Sequence, residues 1–140
     1  MFGKAPQRGF SLIELLFIVM ILGLLATIAI PSLVTARDAA RRSEVVATLR
    51  TITNLQQNYY LKHGRYARLC PELAAANAAL GVCDGPLLIH QSYELSMSPL
   101  APSDEQLADS FSVLASGRAA DGSLIVFLTD ERGSINQILP

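Results

Sequence analysis

Glu14 is the only charged residue in a run of 21, Phe10–Ile30 (FSLIELLFIVMILGLLATIAI), which is closed by Pro31. As a helix the run would be about 32 Å long, close to the thickness of a bilayer's hydrocarbon core. A carboxylate at the centre of such a helix costs about 2.5–3.5 kcal/mol, and less towards an end. Glu14 stands near one end, and it still calls for a cation at the same depth. Cleavage between Gly9 and Phe10 would supply one, because the new α-amino group would lie four residues before Glu14.

Other side chains with chemical potential are sparse. Cys70 and Cys83 are too few and too far apart for a zinc site. In an oxidising compartment they more naturally pair, the alternative being reactive or metal-binding thiols. His63 and His90 are isolated, and the sequence holds no G-x-S-x-G, H-E-x-x-H, P-loop or G-x-G-x-x-G. No enzyme and no cofactor is therefore expected. Net charge is −1 over the 140 residues. Without residues 1–9, which hold Lys4 and Arg8, nine basic and twelve acidic residues remain. No basic tract points to a nucleic-acid partner.

The segment RGFSLIELLFIVMILGLLATIAIPS resembles the prepilin signature of type IV pilins and their relatives. In that family a short basic leader ends in Gly, here Arg8-Gly9, and an apolar residue follows, here Phe10. Glu is the fifth mature residue, here Glu14, and Pro31 matches the family's helix-interrupting proline. An ordinary secretory signal peptide would have a shorter apolar core and an A-x-A site. A plain signal anchor would explain the length but not Gly-Phe-x-x-x-Glu.

The resemblance implies a leader over 1–9, cleavage after Gly9 and N-methylation of Phe10 by a prepilin peptidase/methyltransferase. It implies a precursor spanning the inner membrane once, in contact with lipid, and then passed to the inner-membrane assembly machinery. The product is a helical homopolymer outside the cell, in which Glu14 neutralises the Phe10 amine of a neighbouring copy. A pseudopilin or minor pilin of a secretion or DNA-uptake machine is the alternative. Asp121, Asp130 and Glu131 lie near turns and could bind calcium as aspartates do in major pseudopilins. Calcium wants six to eight oxygens, and the pseudopilins' Trp-containing loop is missing, so no metal is assigned.

These residues need elements to position them. One helix of some fifty residues, roughly 10–62, is expected, apolar all round over 10–31. Pro31 is expected to kink it, with Gly23 a second weak point. Beyond Arg37, Val45, Leu49, Ile52, Leu55 (or Gln56) and Tyr59 recur at steps of three and four, giving one face for a globular head over 32–140. Lys62 and His63 suit the last turn and Gly64 a left-handed cap. Asp38, Arg41, Arg42 and Glu44 read as a solvated face with internal ion pairs. The alternative is that Arg37, Arg41 and Arg42 pair with acids of the next subunit. Tyr59-Tyr60 and HGRYARL resemble the end of the long helix in many pilins, and their tyrosines read as head core.

Cys70 to Gly81 reads as a short helix with Pro71 at its first position and Gly81 past its end. Ten helical residues advance about 15 Å, whereas bridged Cα atoms stand within about 7 Å. A Cys70–Cys83 bond therefore requires a shorter helix and a chain that doubles back. Ser92–Met97, Ser110–Ser116, Leu124–Leu128 and Ser134–Leu139 read as strands, with a loop rich in Pro, Ser and Asp after the first. The expected fold class is α+β: a long N-terminal helix packed on a small antiparallel sheet of three to four strands.

Overall fold

The structure is a computed structural model that describes residues 10–139. The leader and its junction at Gly9 lie outside the described residues. The chain divides into two units, Met1–Arg37 and Asp38–Pro140.

Helix α1 spans Leu12–His63 and runs through Pro31 without interruption. Pro31 has no N–H to offer the carbonyl of Thr27, four residues back. Threonine hydroxyls here satisfy themselves on their own helix: Thr27 Oγ1 donates to the Leu24 carbonyl at 2.6 Å and Thr35 Oγ1 to the Ser32 carbonyl at 2.9 Å. Such back-bonding is available to a hydroxyl with no water around it. At the other end, Lys62 and His63 lie in the last turn, where cations suit the helix dipole. Gly64, at φ +69°, donates its N–H to the Tyr60 carbonyl at 2.8 Å and stops the helix.

In the second unit the helix is one-sided. Val45, Leu49, Ile52 and Gln56 are buried, at steps of four, three and four. Gln56 rather than Leu55 takes the core position. The sheet has six strands, two more than the upper expectation: β1 Val82–Asp84, β2 Leu87–His90, β3 Tyr93–Met97, β4 Ser112–Arg118, β5 Leu124–Asp130 and β6 Ile135–Leu139. All neighbours are antiparallel and in sequence order, so the sheet is a meander. Period-two alternation sends Leu95, Val113, Ala115, Ile125 and Phe127 inward to one core with Val45, Leu49 and Ile52. The fold is α+β, a long helix packed on an antiparallel sheet.

The stretch between helix and sheet differs from a single helix over Cys70–Gly81. Leu69–Leu73 forms one wide turn in which Leu73 N–H donates to the Arg68 carbonyl at 3.0 Å. Helix α2 is only Ala74–Ala76, Asn77 is extended (φ −148°, ψ 96°), and Ala78–Leu80 is a 3-10 turn. The Asn77 side chain accepts the Ala79 N–H at 3.1 Å, so it caps a new turn instead of continuing the old one. Gly81 then reverses the chain at φ +137°, where a Cβ would stand 2.2 Å from the Ile89 carbonyl oxygen. Only glycine fits that approach.

The Pro- and Ser-rich loop also holds an element not anticipated, helix α3, Asp104–Asp109. Ser103 Oγ accepts the Gln106 N–H at 3.3 Å and Gln106 Oε1 accepts the Ser103 N–H at 3.0 Å. That reciprocal pair is a capping box.

Candidate assembly surface

Phe10 precedes α1 and Glu14 lies in its first turn. The Ser11 carbonyl accepts the N–H groups of Glu14 and Leu15 at 3.0 and 3.2 Å, so Ser11 stands at the cap. Ser11-x-x-Glu14 has capping-box spacing, and a carboxylate in the first turn faces the positive end of the helix dipole. The local fold therefore offsets part of the charge that the sequence places among aliphatic residues. Pro31 is 17 residues further on, about 25 Å along the axis. The structure brings Phe10 and Glu14 to one helix end and leaves Pro31 apart.

From Phe10 to Val34 every large apolar side chain is exposed, from 40% at Val34 to 81% at Leu12. The most apolar 18-residue window of α1 has no buried residue, and the helix is long and apolar enough to cross a membrane. Exposed apolar area on this scale is unfavourable in water by roughly 25 cal/mol per Å². It has to be covered by lipid or by other apolar helices.

The head contributes rigid scaffolding. Cys70 and Cys83 form a disulfide with Cα atoms 6.0 Å apart, the approach that Asn77 and Gly81 make possible. Arg65 grips Glu72 with two bonds, Nη1 to Oε2 at 3.0 Å and Nη2 to Oε1 at 2.7 Å. The Arg68 N–H adds a third at 2.8 Å, and the Arg68 guanidinium reaches Asp104 of α3 at 2.7 Å. The Arg65 guanidinium, opposed by partial burial, holds the Glu72 carboxyl below the usual carboxylate range. Glu72 in turn raises the already high pKa of Arg65.

Tyr66 is buried, with rings of Tyr60 and Phe111 each 4.8 Å away, and burial pushes its hydroxyl above the ordinary tyrosine value. Tyr59 is half-buried under the Arg65 guanidinium at 5.6 Å. Tyr60, expected in the core, is 37% exposed.

The face read as solvated is engaged with the head in part, through its two acids, while Arg41 stays exposed. Asp38 accepts the Ala120 N–H at 3.2 Å, and Glu44 takes Gln91 Nε2. Among the described residues Asp38, Arg41, Arg42 and Glu44 make no ion pair with one another. These anchors had a signal only as acids at helical spacing, which does not reveal their partners.

Asp121 accepts the Ser123 N–H at 2.9 Å. Asp130 accepts from the N–H groups of Arg132 and Ser134, both at 3.1 Å, and from the Ser134 hydroxyl at 2.8 Å. Hydrogen bonds from Ser123 and Ser134 respectively hold both carboxyls below their usual range. Each acid closes its own turn, and among the described residues no three acids, histidines or cysteines gather into a metal site.

Residues 4–30 match the prokaryotic N-terminal methylation motif. The chain is 35% identical over 70 residues to the type IV major pilin protein PilA of Myxococcus xanthus, covering 50% of this chain and 32% of that protein. It is 37% identical over 60 residues to type II secretion system core protein G of Klebsiella pneumoniae, 43% of each chain. To the type IV major pilin protein PilE1 of Neisseria gonorrhoeae it is 33% identical over 87 residues, 62% of this chain and 48% of that protein. The chain thus spans less than half the length of each of these relatives. It carries the prokaryotic N-terminal methylation motif at its start, and over about half of its length it is similar to type IV major pilins and type II secretion core proteins alike.

Proposed function

We propose that this protein is the structural subunit of a type IV pilus. The observation that carries the reading is the apolar half of α1, bare along its described length in a chain whose head closes its own core. In the precursor, lipid of the inner membrane covers that surface and residues 1–9 remain on the cytoplasmic side. Prepilin peptidase cuts between Gly9 and Phe10, and the Phe10 amine is methylated. The assembly machinery then withdraws the helix from the bilayer, and neighbouring copies of Phe10–Ile30 replace lipid as its cover.

Glu14 sets the register of that bundle. Moving a carboxylate out of water costs several kcal/mol unless a cation accompanies it. The stable position along a neighbouring helix is therefore the one that brings the neighbour's Phe10 amine to Glu14. The role is mechanical, and no step requires a catalytic group, metal or cofactor.

A pseudopilin or minor pilin is the second reading, and the likeness to secretion core protein G favours it. Mass spectrometry on filaments sheared from native cells separates the two. A dominant chain that begins at methylated Phe10, two hydrogens light for the Cys70–Cys83 bond, supports the pilus subunit. A cut chain that stays in membranes and out of sheared fibres supports the alternative. A chain that keeps residues 1–9 in cells with the peptidase overturns both.

A further inference from the structure

Two arginines at the start of the second unit have lost the partners that their spacing offers. Asp38 stands three and four residues before Arg41 and Arg42, and Glu44 three after Arg41, separations at which opposite charges pair on a helix. Asp38 is turned to the Ala120 N–H, and Glu44 to Gln91 and to His90 Nε2 at 3.8 Å. Arg41, exposed, and Arg42, half-buried, make no salt bridge among the described residues.

The opposite situation holds at the far end of the same unit. On α3, Asp104 is taken by Arg68, while Glu105 and Asp109, one turn apart and exposed, make no salt bridge among the described residues. The Tyr66 N–H donates to the Leu107 carbonyl at 2.8 Å, so α3 lies beside the chain just past the end of α1. Between Arg42 and His63 the helix rises about 30 Å. Arg41 and Arg42 on the one side, and Glu105 and Asp109 on the other, thus stand at opposite ends of the second unit.

Unlike patches at opposite ends meet head to tail, and a head-to-tail contact that does not close builds an open helical fibre. We propose that Glu105 and Asp109 of one copy receive Arg41 and Arg42 of another copy displaced along the fibre axis. This rests on the filament reading above and extends it to the heads. Guanidinium groups match carboxylates in a planar, two-bond geometry, so the contact fixes orientation as well as spacing. It sets the axial register of the heads, a separate determinant from Glu14 in the helical bundle.

The test is a charge exchange in the full chain in native cells. One variant carries Arg41→Glu with Arg42→Glu, a second Glu105→Arg with Asp109→Arg, and a third all four. The readout is subunit in sheared fibres relative to cut subunit in membranes. Each double variant is expected to lower that ratio at least ~10-fold, and the fourfold variant to return it to within about threefold of wild type. Wild-type yield from either double variant, or a fourfold variant no better than the doubles, overturns the contact. If only the arginine double variant fails, the arginines serve lipid phosphates instead, which also overturns it. Absence of the wild-type chain from fibres defeats the filament reading first, and this contact with it.

Discussion

Gln56 and Ala67 close a ring of two hydrogen bonds inside the head. Gln56 Nε2 donates to the Ala67 carbonyl at 2.8 Å, and the Ala67 N–H donates to Gln56 Oε1 at 2.7 Å. Both residues are fully buried, so one polar side chain on the core face of α1 satisfies the backbone of the segment that turns back over it. The side-chain amide stands in for a missing strand partner, since both backbone groups would otherwise be unpaired in the core.

Gln56→Leu keeps the apolar face of the helix continuous and should still destabilise the head. It leaves the Ala67 N–H and carbonyl buried without partners, each costing about 1–3 kcal/mol. We expect a loss of about 2–4 kcal/mol in urea unfolding of the full chain in detergent, followed by near-ultraviolet tyrosine signals. Unchanged stability would mean that water or a shifted backbone replaces the amide.

Glu72 gives the head a pH dependence with a defined sign. The Arg65 fork, helped by the Arg68 N–H, lowers its folded pKa against the effect of burial. A carboxyl lowered in the folded state contributes stability that is complete above the ordinary glutamate range, near 4.3. That contribution is lost as pH falls through the folded value. Glu72→Gln should cost about 1–2 kcal/mol at neutral pH, allowing for the partial exposure of the pair. The difference from wild type should shrink in acid, and a constant difference down to the acid unfolding transition would show that the charge is not what matters.

The Cys70–Cys83 bond spans 13 residues and ties the wide turn at Leu69–Leu73 to the first strand. In the chain-entropy model a loop of that size contributes about 3 kcal/mol. Cys70→Ser with Cys83→Ser, or reduction of the wild type, should lower stability by about that amount without changing the apolar half of α1. If reduction and the double substitution differ, the loss comes from the serines' packing and not from the opened loop.

Much of this was legible in the sequence where one period ran long enough. The long helix shows in an apolar run followed by steps of three and four. β3, β4, β5 and β6 show as alternation between turn residues, displaced by at most two residues at either end. β1 and β2 are three and four residues long, too short for a period to register, and they exist because a tight turn pairs them. The alanine-rich stretch after Pro71 has high helix propensity, yet tertiary constraint wins: Asn77 caps afresh and Gly81 turns the chain towards the disulfide partner. α3 carried a readable mark, Ser103-x-x-Gln106, inside a loop whose composition argued against it. Gln56 was visible only as a polar residue on an apolar face. The partners of Asp38 and Glu44 lie 82 and 47 residues away, a distance over which no local spacing carries information.

Glu14→Ala separates the proposed register role from membrane insertion. The substitution removes the only charge between Phe10 and Ile30, so insertion should be as good or better. Cutting at Gly9 should persist, because the leader and Phe10 are untouched. On the proposed reading the carboxylate that would favour one axial position of a neighbour's amine is gone, and apolar packing alone tolerates sliding. Loss of a desolvated charge pair that recurs at every subunit should lower filament yield at least ~10-fold. The measurement is the ratio of subunit in sheared fibres to cut subunit in membranes. Glu14→Asp, which keeps the charge on a shorter arm, should fall between Glu14→Ala and wild type. Normal fibre yield from Glu14→Ala would mean that side-by-side packing sets the register and that the helix N-terminus alone explains the carboxylate.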